Sequence, residues 1–567
     1  MTAARVYPYR ARGQAAQWWD VRAWPSLHMQ THAEAQRPYL TINLYPEDPW
    51  DGEGGLVLRP GRRRFTAGST AARLASNVGA QLIFDANFGQ SLVKTVVVAG
   101  GQIYSLNWTA KTITTEITTA QLTAASITLS STVQCYACMF GNVMVICDAN
   151  TNRPFTWNGT TGVGLTSLTN GPARVVGAPT VFYAKLFFIK GTDHLTVVWS
   201  EENQANTGYE AGGFNNAWSL TQTGRSWLTA IQGTNEGLYY FRNTSVGVIR
   251  GAVTTDFQTA GVHDDISQVY GCENASNVLF AQNTLYWADP GARLFRYTPG
   301  GGAPLELTQQ LINFSRHRSM GLQGADNLDV QSPWNADEST TGELRGVFTG
   351  AKGVTFNPVL QQVRLAVVGA ATTNLLVLFD ARTGQFQGIW HYAAGTSIAT
   401  NYGALVVATD TTNGAAQLTQ SDVMTDTLGY VFWAPLGDRT QAETRYADEV
   451  FNSAGSAFAG SLIGPMHGRS EAADWHFDRL DVSLITRVGS NVVTVRGHTP
   501  RQTGTLLSQV VADGNNAERR FSFGLNLNGR WCVPVIKVNG ATDGVSRWTI
   551  LGYALRGRRA SETPRTK

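Results

Sequence analysis

Short apolar runs alternate with small polar turns along most of the chain. In three segments, 143–157, 285–297 and 375–390, an apolar run leads into an aspartate-containing turn and then into a second apolar or aromatic run. In such turns the aspartate side chain folds back onto its own backbone, and glycine or asparagine takes the left-handed position. Each segment is therefore predicted to form a β-hairpin.

Turn markers of this kind recur at intervals of 41 to 50 residues. The markers are Asn107, Asp148, Asp193, Asn243, Asp289, Asp337 and Asp380. A four-stranded blade of a β-propeller occupies about 40–50 residues. The spacing predicts a β-propeller over residues 76–430, with six blades preferred and seven as the alternative. A series of β-sandwich domains would give similar hairpins without a fixed period.

The two ends of the chain follow other patterns. Residues 1–75 are rich in proline and tryptophan, with a strand pattern at 39–44, and are predicted to form an extended arm. After residue 430 the period is lost, and alternating apolar and polar residues predict strands at 479–486, 491–497, 520–526 and 547–555. We expect 431–567 to be a β-sandwich-like platform with a basic tail. The arm should pack on this platform, with 39–44 paired to 547–555.

Composition favours an all-β fold and excludes several classes of protein. Charged residues make up 15% of the chain, and the 16 Trp, 18 Tyr and 24 Phe carry too much apolar surface for a disordered protein. The 44 Lys and Arg nearly balance the 41 Asp and Glu, so no global field attracts a polyanion. Apolar runs are too short to span a bilayer, and the first residues do not read as a signal peptide. We expect a soluble chain made in the cytoplasm.

The sequence contains no strong catalytic motif. The nucleotide-binding, zinc-protease and serine-hydrolase signatures are missing. The five cysteines suit reduced core thiols better than a disulfide framework or a metal site. His263, Asp264 and Asp265 are adjacent, but a solvated turn explains them as well as a catalytic or metal cluster. We predict that the protein is not an enzyme and has no cofactor or metal site.

Four tryptophans keep a carbohydrate-related alternative open. Aromatic faces beside paired carboxylates are typical of glycosidases, and four tryptophans of the central region could stack on sugars: Trp199, Trp218, Trp227 and Trp287. The acidic residues are scattered over turns, and aromatic residues of propeller blades are more often core. A carbohydrate-binding or glycoside-cleaving propeller is therefore the alternative from another functional class.

Three segments, taken in their order along the chain, carry a resemblance to a known family. They are GLVLRPGRRRF at 55–65, FDARTGQF at 379–386 and WTILGYALR at 548–556. The layout resembles the tail hub or nozzle proteins of short-tailed bacteriophages, including the packaged-DNA stabilisation proteins. The resemblance implies a structural virion protein that forms a hexameric ring below the portal and its adaptor. Its bore would pass the genome DNA without sequence-specific binding, and its rim would hold tail fibres or spikes.

Two groups of arginines are the candidate interface or DNA-path residues. They are Arg62, Arg63 and Arg64 before the first predicted blade, and Arg556, Arg558 and Arg559 at the C-terminus. Arginine forks bind phosphates and carboxylates, and we expect these six residues to serve mainly as contacts with the adaptor or a neighbouring subunit. A tail protein of a long-tailed phage remains a further alternative.

Overall fold

The computed structural model of the 567-residue chain is almost entirely β-structure. It describes residues 14–20, 40–42, 44–47, 55–59, 61–66, 73–74, 78–89, 92–209, 216–220, 226–251, 262–308, 348–358, 360–369, 374–392, 406–410, 419–426, 428–435, 447–450, 453–457, 459–464, 475–488, 491–499, 504–505, 507–511, 518–529, 532–539 and 547–559. Within these residues, helical structure is limited to Thr119–Ala124 (α1) and a 3-10 turn at Ala275–Asn277. The predicted all-β class is confirmed.

Five strands come from the N-terminal arm. They are Gln14–Asp20 (β1), Leu40–Ile42 (β2), Leu44–Glu47 (β3), Gly55–Leu58 (β4) and Arg63–Arg64 (β5). The first, third and fourth of these strands pair outside the propeller blades. Strand β2 pairs both with a blade strand and with a C-terminal strand, and β5 pairs with the last blade. The arm therefore contributes to both halves of the molecule.

The first two blades follow the arm directly. Blade 1 consists of Leu82–Asn87 (β6), Val93–Ala99 (β7), Gln102–Asn107 (β8) and Thr112–Ile117 (β9). Blade 2 consists of Cys135–Phe140 (β10), Val143–Asp148 (β11), Phe155–Trp157 (β12) and Leu165–Ser167 (β13). Each blade is an antiparallel meander in chain order, because every connection is a short turn.

Blades 3 to 5 repeat this plan. Blade 3 consists of Val175–Phe182 (β14), Lys185–Lys190 (β15), Thr196–Glu201 (β16), Gln204–Gly208 (β17) and Ala217–Ser219 (β18). Blade 4 consists of Leu228–Gly233 (β19), Leu238–Arg242 (β20), Val246–Arg250 (β21) and Val262–Ser267 (β22). Blade 5 consists of Val278–Ala281 (β23), Thr284–Ala288 (β24), Leu294–Tyr297 (β25) and Leu305–Glu306 (β26).

Blades 6 and 7 complete the ring. Blade 6 consists of Phe348–Asn357 (β27), Gln362–Gly369 (β28), Asn374–Asp380 (β29) and Phe386–Tyr392 (β30). Blade 7 takes three strands from Val406–Asp410 (β31), Thr419–Thr425 (β32) and Val431–Pro435 (β33), and its fourth strand is β5 from the arm. The first strands of neighbouring blades contact one another all the way round, including β27 with β31 and β31 with β6. The fold is a closed β-propeller.

The ring has seven blades, so the preference for six is corrected to the seven-blade alternative. The strands of the ring begin at Arg63 and end at Pro435, outside the expected limits of 76 and 430 at both ends. The reason is the closing strand β5, which the last blade takes from the N-terminal arm. Closure of this kind leaves only short sheet edges exposed.

The turn markers within the described residues fall in blades 1 to 6, but not at one common position in each blade. The markers Asp148, Asp193, Asn243 and Asp289 lie between the second and third strands of blades 2 to 5, whereas Asn107 and Asp380 lie between the third and fourth strands of blades 1 and 6. Asp337 lies outside the described residues. The three predicted hairpins are confirmed as β11–β12, β24–β25 and β29–β30.

The platform contains the remaining strands. They are Ala447–Val450 (β34), Ser453–Ala457 (β35), Ala459–Ile463 (β36), Trp475–Val488 (β37), Asn491–His498 (β38), Leu507–Val511 (β39), Glu518–Gly529 (β40), Val533–Asn539 (β41) and Arg547–Arg559 (β42). One sheet has the order β3-β4-β42-β37-β40, with β1 also on β42. The other has the order β36-β41-β38-β39. Apolar residues of both sheets, including Leu480, Ile536 and Trp548, fill the space between them, as in a sandwich.

The arm packs on the platform, but not by the expected pairing. Strand β2 pairs with β36, with Leu40 opposite Ile463, instead of with β42. The arm strands that pair with β42 are β1 and β4. The expected pairing of 39–44 with 547–555 is therefore wrong: β2 and β3 lie in different sheets of the platform, and neither pairs with β42.

Blade 6 and the platform share one sheet. Strand β2 lies between β30 and β36, which gives a continuous nine-stranded sheet from β27 to β39. The Thr41 hydroxyl donates to the Gln387 carbonyl at 2.9 Å, and the Trp390 indole donates to the Leu44 carbonyl at 3.2 Å. Gly388 has φ +138°, and an added Cβ would lie against the Thr41 hydroxyl. Glycine is thus required where the arm crosses the blade.

Candidate functional site

The first arginine group closes the propeller. In β5, Arg63 lies opposite Trp433 and Arg64 opposite Phe432. Arg62 is only 1% exposed, and its guanidinium lies 4.6 Å from the centre of the Phe432 ring. The Arg62 side chain is therefore inside the protein and not available as a contact for DNA or an adaptor. Arg63 and Arg64 are half-buried.

An aromatic cluster surrounds this closure. The Lys111 ammonium lies 4.1 Å from the centre of the Trp433 ring and 4.9 Å from that of Trp108. Trp108 meets both Trp433 and Phe65 edge to face. Cations over aromatic faces are attracted by the ring quadrupole, most strongly on tryptophan. Blades 7 and 1 are thus joined by edge-to-face aromatic contacts and cationic side chains as well as by β5. We call Arg62, Arg63, Lys111, Trp108 and Trp433 the closure cluster.

A buried ion pair joins blade 6 to blade 7. Arg364 of β28 donates to Asp422 of β32 at 2.5 Å, and both side chains are fully buried. The Arg364 guanidinium also lies 4.7 Å from the Trp390 ring. Burial raises the pKa of Asp422, and the positive charge and hydrogen bond of Arg364 act against that rise. Such a pair orients the two blades through directional contacts, at the cost of desolvating both charges.

The second arginine group lies at the end of the platform sheet. Arg556 donates to Asp481 at 2.9 Å and is 39% exposed, while Arg558 is exposed two residues further along β42. For Arg559 the structure describes the strand but not the side chain. The structure therefore separates the six candidate arginines: the N-terminal group serves ring closure, and the described C-terminal pair reaches the surface.

Four of the five cysteine thiols are buried in this fold. Among the described residues, Cys135, Cys147, Cys272 and Cys532 are buried and none of the five cysteines forms a disulfide. Burial raises the pKa of Cys138 and of Cys272 to about 12. At neutral pH these two thiols are therefore protonated.

The histidine and tryptophan candidates fall into two groups. Trp199 and Trp287 are buried in the blades. Trp218 packs edge to face on His263, with ring centres 5.8 Å apart, and Trp227 is 48% exposed beside His194.

His263, Asp264 and Asp265 lie on a strand, β22, and not on the predicted solvated turn. Asp264 forms an ion pair with Arg250. Because successive strand residues point to opposite faces, Asp264 and Asp265 cannot face a substrate together.

The described part of the chain contains no candidate metal site. Its His, Cys, Asp and Glu side chains form no group of three that could hold a metal ion. Among the same residues, no helix has the length and apolar composition needed to cross a membrane.

The comparisons with known proteins give weak structural similarities. Neither a protein-family model nor a curated protein sequence matches the chain. Sqt1 of Saccharomyces cerevisiae is 9% identical, covers 67% of this chain and all of its own length, and has a TM-score of 0.39. Raptor of Chaetomium thermophilum is 9% identical over 67% of this chain and 30% of its own, with a TM-score of 0.39. The computationally designed Ika8 protein is 11% identical over 64% of this chain and 98% of its own, with a TM-score of 0.35.

Sequence reasoning missed Arg364, Asp422, Lys111, Trp433 and Asp481. One signal was present for the ion pair. Arg364 and Asp422 are each the single charged residue of their strand, and a lone charge in a buried strand needs a partner. The partner is 58 residues away in sequence, so its identity follows only from the fold.

Proposed function

We propose that this protein is a structural component of a virus particle, a tail hub or nozzle of the kind found in short-tailed bacteriophages. In this role it forms a ring, with six copies expected, below the portal and its adaptor. Genome DNA passes through the bore of the ring, and fibres or spikes attach to its rim. The protein is then located in the virion tail and catalyses no reaction.

The nine-stranded sheet shared by blade 6 and the platform is the observation that carries the proposal. Domains that close over a substrate usually meet through a small interface and move relative to each other. Here β2 joins the two parts: it pairs with β30 on one side, with Ile42 opposite Ile389, and with β36 on the other. A force on the platform is transmitted directly into the propeller, which suits a load-bearing part of a conduit.

The unrepeated sequence of the platform also supports a ring role. A cyclic ring needs two different complementary surfaces on each subunit, related by a closing rotation. The platform combines arm strands with C-terminal strands and has two unlike sheet edges, at β40 and β3. It offers such a pair of surfaces, whereas the propeller blades repeat one another.

The test examines the purified chain alone and mixed with the proteins of the neighbouring reading frames. Electron microscopy is expected to show rings with a central opening wide enough for a DNA duplex. These rings should bind the portal or adaptor encoded nearby. A chain that stays monomeric at all concentrations, and binds none of the proteins encoded beside it, would overturn the proposal.

The half-exposed Trp227 favours one second candidate, a carbohydrate-binding propeller. Exposed tryptophan faces bind sugar rings, and Trp227 with His194 forms such a surface between blades 3 and 4. The same purified chain is therefore screened against a glycan panel. Glycan binding that is lost in Trp227→Ala and kept in Tyr183→Ala, which replaces another exposed aromatic residue, would favour this second candidate.

A further inference from the structure

The platform sheet places two arginines side by side. The pairing of β37 with β42 puts Arg479 directly opposite Arg556. Two guanidinium groups directly opposite each other repel unless a negative charge compensates them. The Asp481 carboxylate supplies that charge: it accepts from Arg479 at 2.5 Å and from Arg556 at 2.9 Å. Its side chain is 7% exposed, while those of the two arginines are 46% and 39% exposed.

The shared carboxylate fixes the direction of both guanidinium groups. Arg479 contacts Asp481 through Nε, and Arg556 uses Nε and one terminal nitrogen. Ser522 of β40 also donates to Asp481, at 2.6 Å. The result is a rigid pair of planar cations on two central strands, and pre-organisation of this kind reduces the entropy lost when an anion binds.

Further arginines extend this pair across the sheet. Arg558 lies two residues beyond Arg556, about 6.8 Å further along the same face. Arg520 of β40 is exposed and lies opposite Ser483, four residues along β37 from Arg479. The carboxylates beside these arginines are Asp478, Asp481 and Glu518, the last of which lies 3.7 Å from Arg520. Four arginines against three carboxylates leave a local positive charge.

The surface beside the pair is open. Gly524 of β40 lies opposite Arg479 in the sheet register. A Cβ added to Gly524 would meet only the Asp478 carbonyl oxygen, at 3.9 Å. A bulky anionic group can therefore approach Arg479 from the side of β40 without displacing a side chain there.

We infer that this arginine face, formed by Arg479, Arg520, Arg556 and Arg558 around Asp481, binds the phosphodiester backbone of nucleic acid. A backbone presents anionic oxygens in a regular line, and the arginines lie on one face of three neighbouring strands along a diagonal from Arg558 through Arg556 and Arg479 to Arg520. Arginine forks bind such oxygens in pairs. The chain carries a net charge of only +3, so the binding is weak, independent of sequence and sensitive to salt. The inference goes beyond the proposed virion role and does not need ring formation.

The experiment measures binding of the purified full-length chain to a fluorescent 20-base-pair DNA duplex as the salt concentration is varied. If about three phosphates are contacted, the logarithm of the binding constant should fall against the logarithm of salt with a slope of about −2.7. Arg558→Glu is expected to weaken binding roughly tenfold at low salt and to reduce the slope by about one. Arg558→Gln should give a smaller loss in the same direction.

Arg174→Glu is the matched control, since Arg174 is an exposed arginine on the propeller; it should bind like the wild type. Circular dichroism of each variant checks that it is folded. Absence of DNA binding at low salt, or equal losses in Arg558→Glu and Arg174→Glu, would overturn the inference. So would binding of a polyglutamate peptide with no binding of the duplex, which would assign the face to an acidic protein. All these measurements use the unassembled chain, so their outcome does not depend on whether the protein forms rings.

Discussion

Blades 2 to 5 pack through one continuous apolar cluster, whereas the seam where blades 6, 7 and 1 meet buries charged side chains. The apolar cluster runs from Val145 of blade 2 through Phe188 and Tyr239 to Trp287 of blade 5. At the seam, Arg364 and Asp422 are buried inside the sheets, and the closure cluster brings three cations onto aromatic rings.

The difference follows from how the chain is connected. Blades 2 to 5 are consecutive, so their order is set by short covalent links and non-directional apolar packing is sufficient. Blade 7 receives its last strand from a part of the chain more than 300 residues earlier, and only two residues of β5 pair with it. Directional contacts such as ion pairs and cation–aromatic contacts specify that register where main-chain pairing is short.

The largest expected effect comes from breaking the ion pair of the seam. Arg364→Met leaves Asp422 buried without its cation, which should cost about 3–5 kcal/mol of unfolding free energy. The double variant Arg364→Met with Asp422→Leu should recover most of this loss, because an apolar pair carries no desolvation penalty. Urea denaturation at pH 7 measures both variants.

The pH dependence of Arg364→Met gives a second readout of the same prediction. Burial already raises the pKa of Asp422, and removal of Arg364 should raise it further. The folded state then binds the proton more tightly than the unfolded state, so the stability penalty is full above the raised pKa and shrinks as pH falls towards 4. Leu186→Met in the apolar cluster is the control and should cost less than about 1.5 kcal/mol. A penalty below about 1 kcal/mol for Arg364→Met would contradict the contrast drawn between the two regions.

The regular blades could be predicted from sequence because their information is local. An aspartate turn between two apolar strands, as at Asp289, is encoded within about a dozen residues, and its side chain accepts the backbone N–H of Arg293 at 2.9 Å. Blade 7 has the same turn at Asp426, which accepts from Leu428 and Tyr430. It was missed because the last marker was Asp380 and the propeller was taken to end at residue 430, before the strand β33 that follows this turn.

The roles of the arginines could not be predicted, because burial depends on distant partners. Arg62 is one of three consecutive arginines, a pattern that usually indicates a solvated or binding surface. Its aromatic partner Phe432 is 370 residues away in sequence, and only ring closure brings them together. Arg556 gives the opposite case: its surface position was expected, but the organising Asp481 lies on another strand and left no mark in the local sequence.

A smaller effect on stability is expected at Glu116, a buried acid next to the seam. Its pKa is shifted in the opposite direction to that of Asp422. Glu116 of blade 1 is 3% exposed and accepts from Lys94 and Ser105 at 2.6 Å and from Thr161 of blade 2 at 2.5 Å. Burial raises the pKa of Glu116, but these hydrogen bonds and the Lys94 charge outweigh it, so the pKa lies below its usual value. Glu116→Gln should cost about 1.5–3 kcal/mol at pH 7.

The sign of its pH dependence distinguishes Glu116 from Asp422. A lowered pKa in the folded state contributes stability that is present above the unfolded pKa, near 4.5, and is lost as pH falls through the folded value. The difference between wild type and Glu116→Gln should therefore narrow in urea titrations below pH 4. A difference that stays constant from pH 7 to pH 3 would show that the Glu116 charge contributes nothing to the contact between blades 1 and 2.

The smallest expected effect tests the closure cluster itself. Lys111→Met removes the cation above Trp433, Trp108 and Phe65 while keeping a long apolar side chain of similar length, so the change isolates the charge. Cation–aromatic contacts of half-buried lysines contribute about 1 kcal/mol, and we expect a loss of that size in urea denaturation. Lys185→Met, at a half-buried lysine of blade 3, should change stability by less than about 0.5 kcal/mol. If the two lysine variants lose the same amount, the seam has no special dependence on cations, and its stability comes from apolar burial as in blades 2 to 5.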